Sequence, residues 1–246
     1  MTAPLTGLVP GALYHVRLVA ANSAGTTFGQ DQTFTTAQAP APPPPVLGQT
    51  QDVKPVSGQV FIKASNGQFI PLTGATQIPS GTVVDALHGT LAITTALPSS
   101  SGGARDAATK GKEKSKVKTQ SGTFGGAIFK LTQAHNGLAT LSIVEGAFNG
   151  APSYATCTAH KTGDPVASAA SSKTLQLLRA SAHGKFRTKG RYSAATVRGT
   201  KWTIADRCDG TLTRDLIHSV VVTDFVRHKA IVLHAGQTYL ANPRRK

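Results

Sequence analysis

The sequence predicts an all-β protein, and three observations predict it. Glycine and proline, 25 and 14 of 246 residues, punctuate the chain at short intervals. Between them Val, Ile, Thr and Phe alternate with polar residues, the two-residue period of a half-buried strand. Besides a proline-rich and a lysine-rich stretch, SSKTLQLLRASAHG, residues 171–184, departs from that rhythm. There Leu175, Leu177 and Leu178 precede His183-Gly184, and the spacing predicts one short amphipathic helix with a glycine stop.

Residues 5–36 read as strands around the turn Asn22–Gly25, with Tyr14, Val16, Leu18 and Ala20 alternating. Residues 37–52 hold four consecutive prolines, Pro42 to Pro45, which fix φ and remove donors, so a semi-rigid spacer is expected. SGQVFIKASNGQFIPL then predicts a hairpin turning at Asn66-Gly67, and PSGTVVDALHGTLAITTA two short strands around His88-Gly89. Residues 98–122 are small, polar and lysine-rich and cannot offset the entropy of ordering, so a flexible loop is expected. Lys110, Lys112, Lys114, Lys116 and Lys118 fall there on every second position. Such a loop is either a solvated insertion or a polyanion-binding arm. TFGGAIFKLTQ and LATLSIVEGAF alternate around His135-Asn136-Gly137, and HSVVVTDFVRHKAIVLHAGQTYLA supplies two more strands before a basic tail.

The stretch GRYSAATVRGTKWTIADRCDG contains a change of parity. Ala195 and Val197 lie on odd positions, whereas Trp202 and Ile204 lie on even ones. Side chains alternate across a strand, so one register break must fall between Val197 and Trp202. Gly199 sits there, and a bulge would return Trp202 to the face of Val197.

Charged residues are 15% of the chain, yet the net charge is +15 and the pI about 10.2. That balance favours acidic partners: nucleic acid, anionic wall polymers or lipid headgroups. From Pro165 to Ala205 there is no acidic residue, and Arg187, Lys189 and Arg191 alternate into a candidate cationic stripe. Lys112, Lys114 and Lys116 are the other candidate polyanion contacts. Aromatic residues near the stripe are few, Phe186 and Tyr192, which argues against base stacking. Cys157 and Cys208 are the only cysteines, 51 positions apart. A disulfide, two inert thiols or one reactive thiol are open to them, and the extracellular look of the rest favours the disulfide. No run of apolar residues is long enough for a membrane helix. Met1 is not followed by a signal peptide, so a secreted reading expects a longer parent chain.

The sequence lacks G-x-S-x-G, a P-loop, H-E-x-x-H, a dinucleotide fingerprint and an EF-hand loop. Asp206 and Asp209 flank Cys208 as a turn cap or a weak cation site, His228 and His234 form a loose pair, and Cys157 with His160 is a faint nucleophile–base pair. No catalytic residue, metal or cofactor is expected.

Two resemblances extend this. L-x-P-G-x-x-Y-x-V-x-L-x-A-x-N-x-x-G, over residues 8–25, resembles the last third of a fibronectin type III domain, with Tyr14 at the corner tyrosine. Val197-Arg198-Gly199-Thr200-x-Trp202, followed by Val220–Val222 and Val232-Leu233-x-Ala235-Gly236, resembles a FecR-like domain. The resemblances imply residues 1–36 as a truncated fibronectin part, 37–52 as linker, 53–240 as a FecR-like β-domain and 241–246 as tail. The relay for which FecR is known needs a cytoplasmic segment and a membrane helix that these residues lack. What is implied instead is a non-enzymatic, secreted or surface-attached binding module of a bacterial envelope. Its partners would be other envelope proteins or acidic wall polymers, with nucleic acid the alternative.

Overall fold

The computed structural model describes residues 4–38, 40–98, 117–157 and 172–243. Its regular structure is nearly all strand; among the described residues the one helical element is a 3-10 turn, Tyr154–Thr156. The chain divides into two units, residues 1–41 and 42–246.

The smaller unit has four short strands: β1 (Leu13–Val16), β2 (Val19–Asn22), β3 (Gly25–Phe28) and β4 (Gln32–Thr35). β1 pairs with β4 and β2 with β3, both antiparallel. Tyr14 stacks on Phe34 with centroids 5.7 Å apart, and its hydroxyl accepts the Val9 N–H at 2.7 Å. Leu13, Leu18, Val19 and Phe28 remain exposed, so this unit buries little of its own apolar surface.

The larger unit opens with β5 (Thr50–Lys63), β6 (Phe69–Pro71), β7 (Thr76–Pro79) and β8 (Val83–Ala96). β9 (Thr119–Gly125), β10 (Ile128–Gln133) and β11 (Ala139–Ile143) follow. Beyond them come β12 (Thr174–Lys189), β13 (Ser193–Arg207), β14 (Gly210–Ile217), β15 (Ser219–Asp224), β16 (Lys229–His234) and β17 (Thr238–Ala241). Five strands close on themselves: β8 pairs with β9, β9 with β12, β12 with β11, β11 with β10, and β10 with β8. All of these pairings are antiparallel except β11 with β12. Closure removes the open edges of those strands. Past β12 the sheet forks. β13 pairs with β15 through its first residues and with β14 through its last, and β16 and β17 extend the two arms.

The expected hairpin at Asn66-Gly67 is present, with Gly67 at φ +85°. The expected break at His88-Gly89 is not, because β8 runs through it. Gly89 lies opposite Gly58 on β5, and a Cβ on Gly89 would stand 2.8 Å from Val60 Cγ2. These glycines serve a close crossing of two strands rather than a turn. The stretch expected to be helical is β12. Gln176, Leu178, Ala180 and Ala182 are buried and Arg179 and His183 exposed, a two-residue period. The leucine spacing misled because one buried position carries glutamine. The stretch 37–52 is likewise divided: β5 begins at Thr50, Pro45 is buried, and the Gln77 amide donates to the Pro43 carbonyl at 2.8 Å.

The parity change is where the sequence puts it. Ala195 and Val197 are buried, then Thr200, Trp202 and Ile204. The register shift lies between His183 and Phe186 of β12, opposite Gly199 and Val197. The extra residue is thus on the partner strand, where Gly184 adopts φ +113°. Trp202 is fully buried; its ring meets Phe124 edge-on at 6.3 Å and its Nε1–H donates to Thr188 Oγ1 at 2.8 Å. Cys157 and Cys208 form a disulfide, Cα atoms 5.4 Å apart, tying the 3-10 turn to the end of β13.

Candidate binding surface

The cations of the expected stripe come together, but not as an open row. Arg187 and Lys189 share the outer face of β12, while Arg191 lies in the bend after it. Arg187 Nε donates to Thr196 Oγ1 at 3.1 Å, and Lys189 Nζ sits 5.5 Å from the Phe225 ring centre. The Arg191 guanidinium lies 4.3 Å from the Tyr154 ring and 5.7 Å from that of Tyr192, and pairs with Glu145 at 3.4 Å. The rings nearest the stripe are therefore occupied by the protein's own cations, which leaves no open platform for a base there. Lys112, Lys114 and Lys116 lie outside the described residues, as does His160. Arg198 is exposed on β13.

Beside Arg191 is a small recess of about 250 Å³, lined by Glu145, Tyr154, Lys189 and Asp206 among others. Asp206 accepts the Arg191 N–H at 3.0 Å and the Thr211 hydroxyl at 2.6 Å. Burial nevertheless pushes its carboxyl above the usual range. The Tyr154 hydroxyl is buried beside it without a hydrogen bond of normal geometry. Burial first, and the Asp206 charge second, raise its pKa far beyond that of free tyrosine. A tyrosine so raised stays protonated and makes a poor general base. Asp209 is held by Arg207 at 2.6 Å, so the two aspartates beside Cys208 serve separate local partners.

These pairings belong to a wider pattern. Of the eleven carboxylates, Asp106, Glu113 and Asp164 lie outside the described residues. Each of the other eight is engaged within the fold. His15 takes Asp31, Gln77 takes Asp52, the Leu87 N–H takes Asp85, and Arg191 with the Tyr154 N–H takes Glu145. Asp206 and Asp209 are held as above. Asp215 and Asp224 are wholly buried, the first accepting from Ile217 N–H and the second from Tyr239, Arg227 and Val226. Burial tends to raise the Asp224 pKa, but the Tyr239 hydroxyl and the donors of Arg227 and Val226 outweigh it and bring it below the usual value. By contrast, Lys54, Lys130, Arg179, Lys185, Arg198, Lys201 and Arg214 have no ion pair among the described residues. Apart from the exposed Asp31 and Glu145, the described acids serve as acceptors at least partly inside the fold, while most bases lie outside.

An open cleft of about 540 Å³ lies on the outer face of β8, β9, β12 and β13. Pairing places Ser57, Thr90, Gly125, Arg179, Thr203 and Arg214 in one row across six strands. The next row runs Ala92, Thr123, Ser181, Lys201. Glycine at 125 and 126 makes the floor low: a Cβ on Gly125 would meet Thr90 Oγ1 at 2.7 Å, and one on Gly126 would meet the Arg179 guanidinium at 2.9 Å. Arg179 and Lys201 both fall in the acid-free stretch between Pro165 and Ala205, which by itself does not single them out. The signal that marks the cleft is the recurrence of Gly, Ser and Thr at outward positions of consecutive strands.

Among the described residues no three His, Cys, Asp or Glu side chains converge on a point that could hold a metal ion, and no helix is long and apolar enough to cross a membrane. Comparison with family models, with curated proteins and with solved structures finds no match to this chain.

Proposed function

We propose that this chain is a non-enzymatic binding module that works outside the cytoplasm and engages acidic polymers of a cell envelope. One observation carries the reading: every described carboxylate has a hydrogen-bond partner within the fold, all but Asp31 and Glu145 being at least partly buried, while most bases face solvent. A chain of net charge +15 whose described acids are already partnered attracts polyanions over several ångströms of solvent, and does so more strongly at low salt. The disulfide supports an oxidising compartment, since such bridges are rare where thiols are kept reduced. The Tyr14 hydroxyl bond to the Val9 backbone supports taking residues 1–36 as the C-terminal part of a fibronectin type III domain. The buried Val197 and Trp202 around one register shift support a FecR-like larger domain, here residues 53–240. Nucleic acid is the second candidate ligand, favoured by charge alone.

The test is binding of fluorescein-labelled polyglutamate, dextran sulfate and polyphosphate to the purified, oxidised protein across a salt series. Affinity falling steeply with salt for at least one probe is expected. Absence of salt-dependent binding to all three would remove the reading, as would preference for a defined duplex sequence.

A further inference from the structure

We infer that the cleft over β8, β9, β12 and β13 is the polymer-binding site, and that its ligand is a linear chain of oxyanions carrying no flat rings. The inference rests on the proposed function and adds where and what.

Charge is the first argument. Arg179 and Lys201 line the cleft, Arg214 continues the same row two strands from Arg179, and no carboxylate is among the lining residues. Strands lie about 4.8 Å apart, so the Arg179 and Arg214 backbones stand about 10 Å apart along one line. Cations spaced along a row suit a repeating anion better than a single compact one. Neither arginine has an ion pair among the described residues that a ligand would have to displace.

The floor is the second argument. Thr90, Thr123, Ser181 and Thr203 present short hydroxyls on each side of glycine, with Leu216 at the rim. Hydroxyls donate to phosphate, sulfate or carboxylate oxygens, and charge-assisted bonds from arginine add to them. The low floor lets a chain lie close to the backbone, whereas bulky side chains would hold it off.

The third argument concerns rings. Trp202 is the only Phe, Tyr or Trp among those lining the cleft, and it is fully buried; the one other ring is the exposed imidazole of His88. Binding of single-stranded nucleic acid draws on successive bases stacking on several aromatic rings, and a single imidazole at the edge is no such platform. A polymer recognised through its oxyanions and backbone is what remains.

The experiment compares three variants with wild type, using the same labelled polyglutamate, dextran sulfate and polyphosphate, together with single-stranded DNA. Arg179→Ala/Lys201→Ala removes two cleft charges. Lys63→Ala/Lys130→Ala removes two charges elsewhere and leaves net charge equal between the doubles. Thr123→Trp fills the exposed floor without changing charge. Circular dichroism and melting confirm that each is folded. The cleft double should weaken binding of the preferred probe at least tenfold and reduce the log–log salt slope by about one per lost contact. The control double should change affinity less than threefold, and Thr123→Trp should weaken binding at least fivefold. Equal losses from the two doubles, with wild type still binding, overturn the cleft and leave the broader function standing. Tighter binding of single-stranded DNA than of the three polyanions without flat rings in their repeat units overturns the ligand class. Failure of wild type to bind any probe removes the proposed function itself.

Discussion

The closed ring and the forked end of the larger unit bury polar groups of opposite kinds. In and around the ring the buried polar side chains are largely glutamines. Gln120 Nε2 donates to the Gly137 carbonyl at 2.6 Å while its Oε1 accepts the Lys185 N–H at 2.7 Å. Gln176 bridges the Val144 carbonyl and the Ile128 N–H, and Gln133 donates to the Ala96 carbonyl. In the fork no glutamine is buried among the described residues; the buried polar groups are Asp206, Asp215 and Asp224 with the hydroxyls of Ser193, Thr200, Thr211 and Thr213. An amide both donates and accepts, so it can satisfy a carbonyl and an N–H together and does not titrate. A carboxylate only accepts, needs donors supplied on every side, and makes the region depend on pH. The ring is closed by covalently neutral brackets and the fork by charge.

The sharpest ways to break this contrast are substitutions that weaken one half. Trp202→Ala should cost about 3–5 kcal/mol in urea or thermal unfolding, because the ring it removes packs on Phe124 of the closed strands. Near-wild-type melting would show that the two halves do not share this core. A loss of comparable size is expected from Cys157→Ser/Cys208→Ser, about 4 kcal/mol on the chain-entropy model for a separation of 51. Unchanged stability, or free thiols in the oxidised protein, would contradict the bridge. Gln120→Ala should cost about 1–3 kcal/mol, since it removes a buried bond to the Gly137 carbonyl and strands the partly buried Lys185 N–H, and by the same amount at pH 4 and pH 7.

The aspartates should behave differently, and with opposite signs. Asp224 has a lowered pKa in the fold, so its stabilisation is present above the ordinary carboxylate value of about 3.9 and fades as pH falls through the lower folded value. Asp224→Asn should destabilise at neutral pH by about 1–3 kcal/mol, with the difference shrinking in acid. Asp206 has a raised pKa, so its contribution is greatest below the unfolded value and is lost as pH rises through the folded one. Asp206→Asn should therefore gain on wild type from pH 4 toward pH 7, the smallest effect of the series. A pair of parallel pH profiles would contradict the division.

Much of the strand content was legible because alternation is a local signal. Val197, Gly199 and Trp202 disclosed a register break from parity alone, although the extra residue falls on β12 at Gly184. What escaped were features that depend on distant partners. Gln176 occupies a buried position because Ile128 and Val144 stand beside it, so the two-residue period of β12 was masked and leucines at 175, 177 and 178 mimicked a helix. Gly58 and Gly89 are 31 positions apart and reveal their crossing only when paired. The outward row from Ser57 to Arg214 joins residues from six strands, and no single stretch of sequence contains more than one of its members on the same strand.

The sulfur bridge has a topological consequence. β12 and β13, the two longest strands of the ring-to-fork junction, both lie inside the loop it closes. A single proteolytic cut between 158 and 207 would yield two polypeptides that still travel as one molecule. Only a reductant, acting together with loss of the sheet, would let the pieces separate.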